Sequence, residues 1–236
     1  EMAELMVGDT LQTPTRRKTD GGELVLEISG LSMTPTNTFG TSLKDINLTV
    51  YAGEILGIGG VAGNGQDEFL LAMSGEVKSA PDTLKVKGKP FGDLGPNDRR
   101  ALGILAAPEE RLGHAAAPDM SLVENALLTG ATRKKLTHKG FIDWTNTKNF
   151  AEKVIAEFDV RTPGSDRAAR SLSGGNLQKF VIGREILQSP DVLVVNQPTW
   201  GVDAAAAASI RQALLDLSAG GAAVIVVSQD LDELME

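Results

Sequence analysis

Residues Gly60 to Phe69 read GVAGNGQDEF. Gly60, Gly63 and Gly65 stand in a G-x-x-G-x-G rhythm behind the apolar run GEILGIGG and ahead of the helix-forming DEFLLAMSG. That is the strand–loop–helix setting in which successive backbone N–H groups, Asn64 among them, wrap a phosphate over the positive end of a helix. A working phosphate loop follows its last glycine with lysine and a hydroxyl residue; here Gln66 and Asp67 follow Gly65. An amide brings no charge to the phosphates, and a carboxylate in place of a magnesium-holding hydroxyl adds repulsion. Two unit charges about 4 Å apart interact by roughly 4 kcal/mol at an effective dielectric near 20. Losing one attraction and gaining one repulsion therefore weakens nucleotide binding by several orders of magnitude. Taken alone, the stretch is equally compatible with an ordinary glycine turn in which Asp67 and Glu68 satisfy the helix N-terminus themselves.

A second stretch, SLSGGNLQKFVIGREIL (Ser171–Leu187), sets Ser173, Gly174 and Gly175 directly before an apolar-periodic helix. Bare N–H groups and a hydroxyl at a helix start can hold a terminal phosphate, and the same residues can equally form a serine cap with glycines for close packing. Downstream, PDVLVVNQPTWGVD is a buried strand ending in Asn196 and Gln197, followed by Asp203. VIVVSQDLDE is another, ending near Gln229.

These residues need a scaffold, and the chain supplies one. LVLEIS and LKDINLTV alternate apolar and polar residues and predict strands, LKVKGKPF predicts an exposed strand, and ALGILAAP a buried one. From about residue 109 to 186 the pattern turns helical. SLVE (Ser121–Glu124) has the form of a capping box, and Phe150, Ala151, Val154, Ile155 and Phe158 recur at helical spacing. Buried strands alternating with helices predict an α/β fold with a mostly parallel sheet and a helical insert. Residues 1–22 have the make-up of a linker.

Composition narrows the function. The 236 residues carry a net charge of −8 and no cysteine. The charge argues against a nucleic-acid partner, and the missing cysteine excludes disulfides and thiol chemistry. His114 and His138 lack spaced companions, so no metal site is expected and both are read as solvated or capping. Trp144 and Trp200 are read as packing residues, with a place on a partner surface as the alternative. The apolar runs are too short to span a bilayer, and no signal peptide is visible.

Phosphate loop, mid-chain LSGGN, and two strands with polar ends occur in the order and spacing of an ATP-binding cassette. The chain resembles the nucleotide-binding domain of ABC transporters over residues of about 23 to 236, with Leu172–Asn176 the most specific stretch. The resemblance implies a P-loop NTPase core with an antiparallel N-terminal β subdomain (23–108 and 187–236 together) and an inserted α-helical subdomain (109–186). It makes Leu172, Ser173, Gly174, Gly175 and Asn176 an intact signature and Asp203 the D-loop aspartate. Phe39 falls at the base-stacking position, and Glu109 stands for the Q-loop glutamine. Asn196 and Gln197 stand where the family has Asp-Glu, and Gln229 where it has the switch histidine. An amide cannot take a proton from the attacking water, and losing a positioned base costs about 10²–10⁴-fold.

The stretches GVAGNGQ, APEER, SGGNLQK and QPTWGVD resemble the second, degenerate cassette of tandem ATPase subunits in simple-sugar and nucleoside importers. That implies an upstream cassette in the same polypeptide, a missing segment after Glu236, transmembrane permease subunits and a solute-binding protein. It also implies a peripheral position on the cytoplasmic face of the membrane. Mg-ATP would then lie in the partner's site, with this chain's own site weak or empty. A catalytically dead structural or regulatory cassette binding no nucleotide, and a soluble non-transport ATPase of the same type, are the alternatives.

Overall fold

Two-residue alternation in the buried strands sorts side chains onto opposite faces of one sheet. In the computed structural model, which describes residues 22–35 and 40–235, β3 (Ile55–Gly59), β10 (Ala223–Ser228), β9 (Val192–Asn196) and β6 (Ile104–Ala107) form a four-stranded sheet in that order. All three pairings are parallel. Leu193, Val195, Val224, Val226, Leu105 and Ala107 face one core; Val192, Val194, Ile225, Val227, Ile104 and Ala106 face the other. A sheet apolar on both faces must be covered on both, and it is.

One cover is antiparallel: β2 (Leu43–Tyr51), β1 (Leu24–Met33), β4 (Leu84–Val86) and β5 (Lys89–Pro90), in that order. Helix α1 (Gln66–Ser74) lies on the same side and gives that core Phe69, Leu70, Ala72 and Met73. The expected single strand LKVKGKPF is instead the hairpin β4–β5. Lys87 and Gly88 both take positive φ, the left-handed pair that turns a chain in two residues, and Leu84 and Val86 are buried rather than exposed.

The other cover is helical. After the short α2 (Pro96–Ala101), which precedes β6, come α3 (Leu122–Gly130), the small hairpin β7 (Thr137–His138) and β8 (Phe141–Ile142), α4 (Trp144–Glu157) and α5 (Gly174–Ile186). The capping box at Ser121 is formed from both sides: Glu124 N–H donates to the Ser121 hydroxyl, and Ser121 N–H to the Glu124 carboxylate. Phe150, Ala151 and Val154 of α4 are buried, and Ile155 and Phe158 pack against the same core. Helix α6 (Ala204–Ala219) crosses back to β10, and α7 (Leu231–Met235) closes against β3. Among the described residues no helix is long and apolar enough to cross a membrane. The expected linker, apart from Gly22, lies outside the described residues.

Candidate functional site

Parallel strands deliver their carboxyl ends to one edge, and loops leaving that edge share a crevice. Here β3 runs into Gly60–Gly65, β6 leads to Glu109, β9 ends in Asn196 and β10 ends just before Gln229. Register sets the ends side by side: Gly59 opposite Ser228, Asn196 opposite Val227, Ala107 opposite Val195. Four stretches far apart in sequence are thus brought together by sheet topology.

Within the loop, Gly63 and Gly65 hold φ of 80° and 100°, which glycine adopts without strain and which turn the loop onto the start of α1. The Gln66 side chain folds back over this loop. Its Oε1 accepts from the Asn64 N–H at 2.9 Å, and its Nε2 donates to the Val61 carbonyl at 2.9 Å. A Cβ on Gly60 would lie 2.8 Å from that same Nε2, so glycine is what lets the amide sit there. The loop is braced by Thr41, whose hydroxyl donates to the Gly63 carbonyl and whose N–H donates to the buried Glu68 carboxylate. The alternative in which Asp67 and Glu68 satisfy the helix N-terminus themselves is not formed as side-chain caps. Gly65 is the cap, with no side-chain bond, because Glu68 is committed to Thr41 and Asp67 to a strand end.

That strand end is Asn196: its Nδ2 donates to Asp67 Oδ1 at 3.0 Å. One departure in the phosphate loop therefore contacts one at the end of β9, a carboxylate on the helix facing an amide on the strand. Burial pushes the Glu109 carboxyl above its ordinary value, Asp67 pushes it further, and Arg111 opposes both. The pocket thus sets two acids within electrostatic reach without a lysine between them. Among the described residues no group of three acids or histidines could hold a metal ion. The Asn64 N–H of the loop is bonded to Gln66, and the side chains beside the loop, Gln66, Asp67, Asn196 and Gln197, bring three amides and one carboxylate. Gln197 is buried and left-handed (φ 52°), its N–H bonded to the Val227 carbonyl, so the residue beside Asn196 is fixed by backbone to the neighbouring strand.

The second candidate stretch is built as a helix tip. Ser173 caps α5, its Oγ accepting from the Asn176 N–H at 3.4 Å and from Asn176 Nδ2 at 2.9 Å. Leu172 packs against the helical core, while Ser173 and Gly174 are exposed and Gly175 and Asn176 half-buried. Asp203 caps α6 by accepting from the Ala206 N–H. Capping geometry does not consume the Ser173 proton, because both contacts use its oxygen as acceptor.

One residue that composition and spacing did not single out ties the pieces together. Arg111, two positions after Glu109, donates from Nε to Gln178 Oε1 at 2.8 Å and from Nη2 to the Trp200 carbonyl. Gln178 in turn donates to the Pro198 carbonyl. The loop after β6, the signature helix and the loop after β9 are therefore joined through one guanidinium and one amide. A planar five-donor group suits such bridging, but nothing in the spacing of APEER marks it. Glu233 was missed for the same reason: its carboxylate receives the hydroxyls of Thr199 and Ser228, bridging the ends of β9 and β10.

Gln229 is exposed at the end of β10 and lines a cleft with Gln197, Thr199, Trp200 and Glu233. Trp200 is 63% exposed and Trp144 52%, which corrects the packing role expected of both. His138 is exposed, whereas His114 is paired with Glu76 at 3.0 Å rather than simply solvated. Phe39 lies outside the described residues.

Comparison with known proteins agrees with this arrangement. Residues 43–200, more than half of the chain, match the family model described as ABC transporter. The guanosine import ATP-binding protein NupO of Bacillus subtilis is 38% identical over 236 residues, covering 100% of this chain and 46% of that protein. A glucose import ATP-binding protein of Haloferax volcanii is 37% identical over 100% of this chain and 43% of its own length. The chain thus spans less than half the length of these relatives. Among solved structures, the dimeric structure of a bacterial ABC transporter cassette superposes with a TM-score of 0.71 at 20% identity, covering 88% of this chain and 89% of that one, a likeness of fold. With its parallel sheet, antiparallel N-terminal sheet and helical layer, the chain belongs to the ABC transporter family.

Proposed function

We propose that this chain is a nucleotide-binding domain of an ABC importer for a simple sugar or nucleoside, and that it lends its signature, Leu172–Asn176, to Mg-ATP held by a partner cassette. Its own phosphate loop is a degenerate site that binds ATP weakly and hydrolyses it poorly. The observation that carries this reading is the contrast between the two helix tips. At α1 the loop is filled by its own Gln66 amide and flanked by Asp67 bonded to Asn196. At α5 the tip is capped, glycine-lined and open to solvent. A tip of the second kind supplies main-chain N–H groups and a hydroxyl to a phosphate arriving from outside.

The names of the relatives support the importer class. With that class we also propose a partner cassette within the same polypeptide behind a linker at 1–22, permease subunits, a solute-binding protein and a peripheral place at the cytoplasmic face of the membrane. The division into 23–108 with 187–236 and a helical 109–186 is part of the same proposal. So are the roles given to Asp203 and Gln229 in the paired assembly. Gln66 also favours a second reading, a cassette whose own site takes no nucleotide, because the loop amide already competes for the N–H groups a phosphate needs.

Two measurements test the reading. The chain alone should show ATP turnover at least 10²-fold below an intact cassette, since the amides of Asn196 and Gln197 at the end of β9 cannot act as base. Turnover near that of an intact cassette would refute it. A fluorescent ATP analogue titrated against the chain separates weak binding from none.

Glu109 gives the binding a pH signature. A carboxyl raised by burial and by Asp67 gains its proton above the ordinary carboxylate range, and its protonation removes one negative charge from the pocket. Affinity for the nucleotide anion should therefore rise as pH falls through that range. Glu109→Gln should tighten binding at neutral pH by roughly tenfold and flatten the pH dependence.

A further inference from the structure

The helical layer carries a surface that this phosphate chemistry leaves unused. Between α3 and α4 the hairpin β7–β8 turns at Lys139 and Gly140, both at positive φ (48° and 84°), the left-handed pair of a two-residue turn. Phe141 is 80% exposed, Ile142 39% and Trp144 52%, three large apolar side chains within four residues. Single exposed hydrophobics are ordinary, but a contiguous group marks a surface that meets something.

The charge around this group opposes that of the rest of the chain. Residues 133–153 hold six lysines and arginines against two acids, in a chain whose net charge is −8. Both acids are engaged: Asp143 caps α4, and Glu152 meets Lys148 at 3.7 Å, while Lys153 pairs with Glu157 at 3.5 Å just beyond this stretch. Arg133 and Lys134 are tied to the carbonyls of Gln188, Ser189 and Leu187 at the end of α5 and the turn after it. Lys135 and Lys139 are exposed.

We propose that this hairpin docks on an anionic lipid surface. Phe141, Ile142 and Trp144 enter the boundary between headgroups and acyl chains, while Lys135 and Lys139 meet lipid phosphates. An aromatic and aliphatic tip flanked by lysines is the composition that partitions to such an interface. The acids elsewhere do not cancel the attraction, because screening confines each charge to about 8 Å at physiological salt. A single-stranded nucleic acid would want aromatic platforms along a basic groove, whereas here the exposed apolar groups are confined to one short hairpin and the first residue of α4.

The test uses the chain with vesicles and needs neither nucleotide nor partner, so its failure leaves the cassette reading standing. The chain should co-sediment with vesicles of equal parts phosphatidylglycerol and phosphatidylcholine, be released by added salt, and stay in solution with phosphatidylcholine alone. Each lysine near an anionic surface is worth about fivefold in partition, so Lys135→Glu with Lys139→Glu should lower binding more than tenfold. In a Trp200→Phe background, Trp144 fluorescence should shift to the blue on binding, and Phe141→Ser should weaken binding. All four substituted positions are exposed, so the fold should survive. The proposal is overturned by any of several results: no sedimentation with anionic vesicles, equal sedimentation with both kinds, binding indifferent to both sets of substitutions, or stronger capture of single-stranded RNA through the same lysines.

Discussion

Ser173→Ala in the assembled ATPase is expected to cut ATP turnover at the partner's site by roughly 10²–10³-fold, the usual cost of removing one preorganised donor. The Ser173 oxygen accepts from the Asn176 N–H and side-chain amide, and this orients the hydroxyl while leaving its proton to donate outward from an exposed helix tip. A donor held this way costs no reorganisation when charge develops on the phosphate, so its loss should fall on kcat more than on KM. The substitution also removes a helix cap worth about 1 kcal/mol, too little to unfold a domain of ordinary stability. Ser173→Asn separates the two effects. Asparagine can cap α5 but replaces the hydroxyl, so it should keep the melting temperature and still lose turnover. Steady-state ATP hydrolysis by the assembly, with this chain's own nucleotide binding measured in parallel, decides the matter. Wild-type turnover in both variants would remove signature donation from the account.

What could be read from sequence here divides by the range of the interaction. The run DVLVV is short, β-branched and apolar, and alternation alone assigns its residues to the two faces that the structure displays. The glycine spacing at Gly60–Gly65 and the capping box at Ser121 are local, and both were legible. The hairpin inside LKVKGKPF was read through as one strand, because a Lys-Gly turn is a weaker signal than Asn-Gly or Asp-Gly. The contact between Asp67 and Asn196 was out of reach. Each was read as a separate loss, yet the fold sets the carboxylate of one against the amide of the other. Gln66 reads as the absence of a lysine, and only the folded loop reveals that its amide takes up the loop's own donor and acceptor. Arg111 shows the same limit from the other side, since its partners come from α5 and from the loop after β9. Exposure of Trp144 and Trp200 is a tertiary property that residue type does not encode.

Glu185→Ala should cost about 3–5 kcal/mol of stability, the largest effect on folding expected from any single carboxylate here. Glu185 is fully buried in α5, with Arg184 Nε at 2.9 Å from one oxygen and Arg100 Nη1 at 2.7 Å from the other. Arg184, itself buried, also donates to the carbonyls of Asn125 and Ala115, so the cluster fastens the signature helix to α3, to the loop before it and to α2. Burial alone would push the Glu185 carboxyl up; Arg100 and then Arg184 outweigh it and hold the group below its ordinary range. Truncation to alanine therefore leaves a desolvated guanidinium without its counter-charge, which costs more than the pair itself contributes. For a chain of this length the loss corresponds to roughly 6–20 °C in melting temperature. Replacing Arg100, Arg184 and Glu185 together by methionine should cost much less, since no unpaired charge is left behind. The pH dependence has a definite sign. A carboxyl depressed in the folded state contributes stability above its unfolded pKa and loses it as pH falls towards the lower folded value. Urea unfolding followed across that acidic range should thus show the wild type losing stability more steeply than Glu185→Gln, which has no carboxyl at that position to titrate. Equal slopes for the two proteins would mean that the cluster is not held together by charge. The signature helix would then owe its position to the apolar packing of Leu177, Phe180 and Val181 alone.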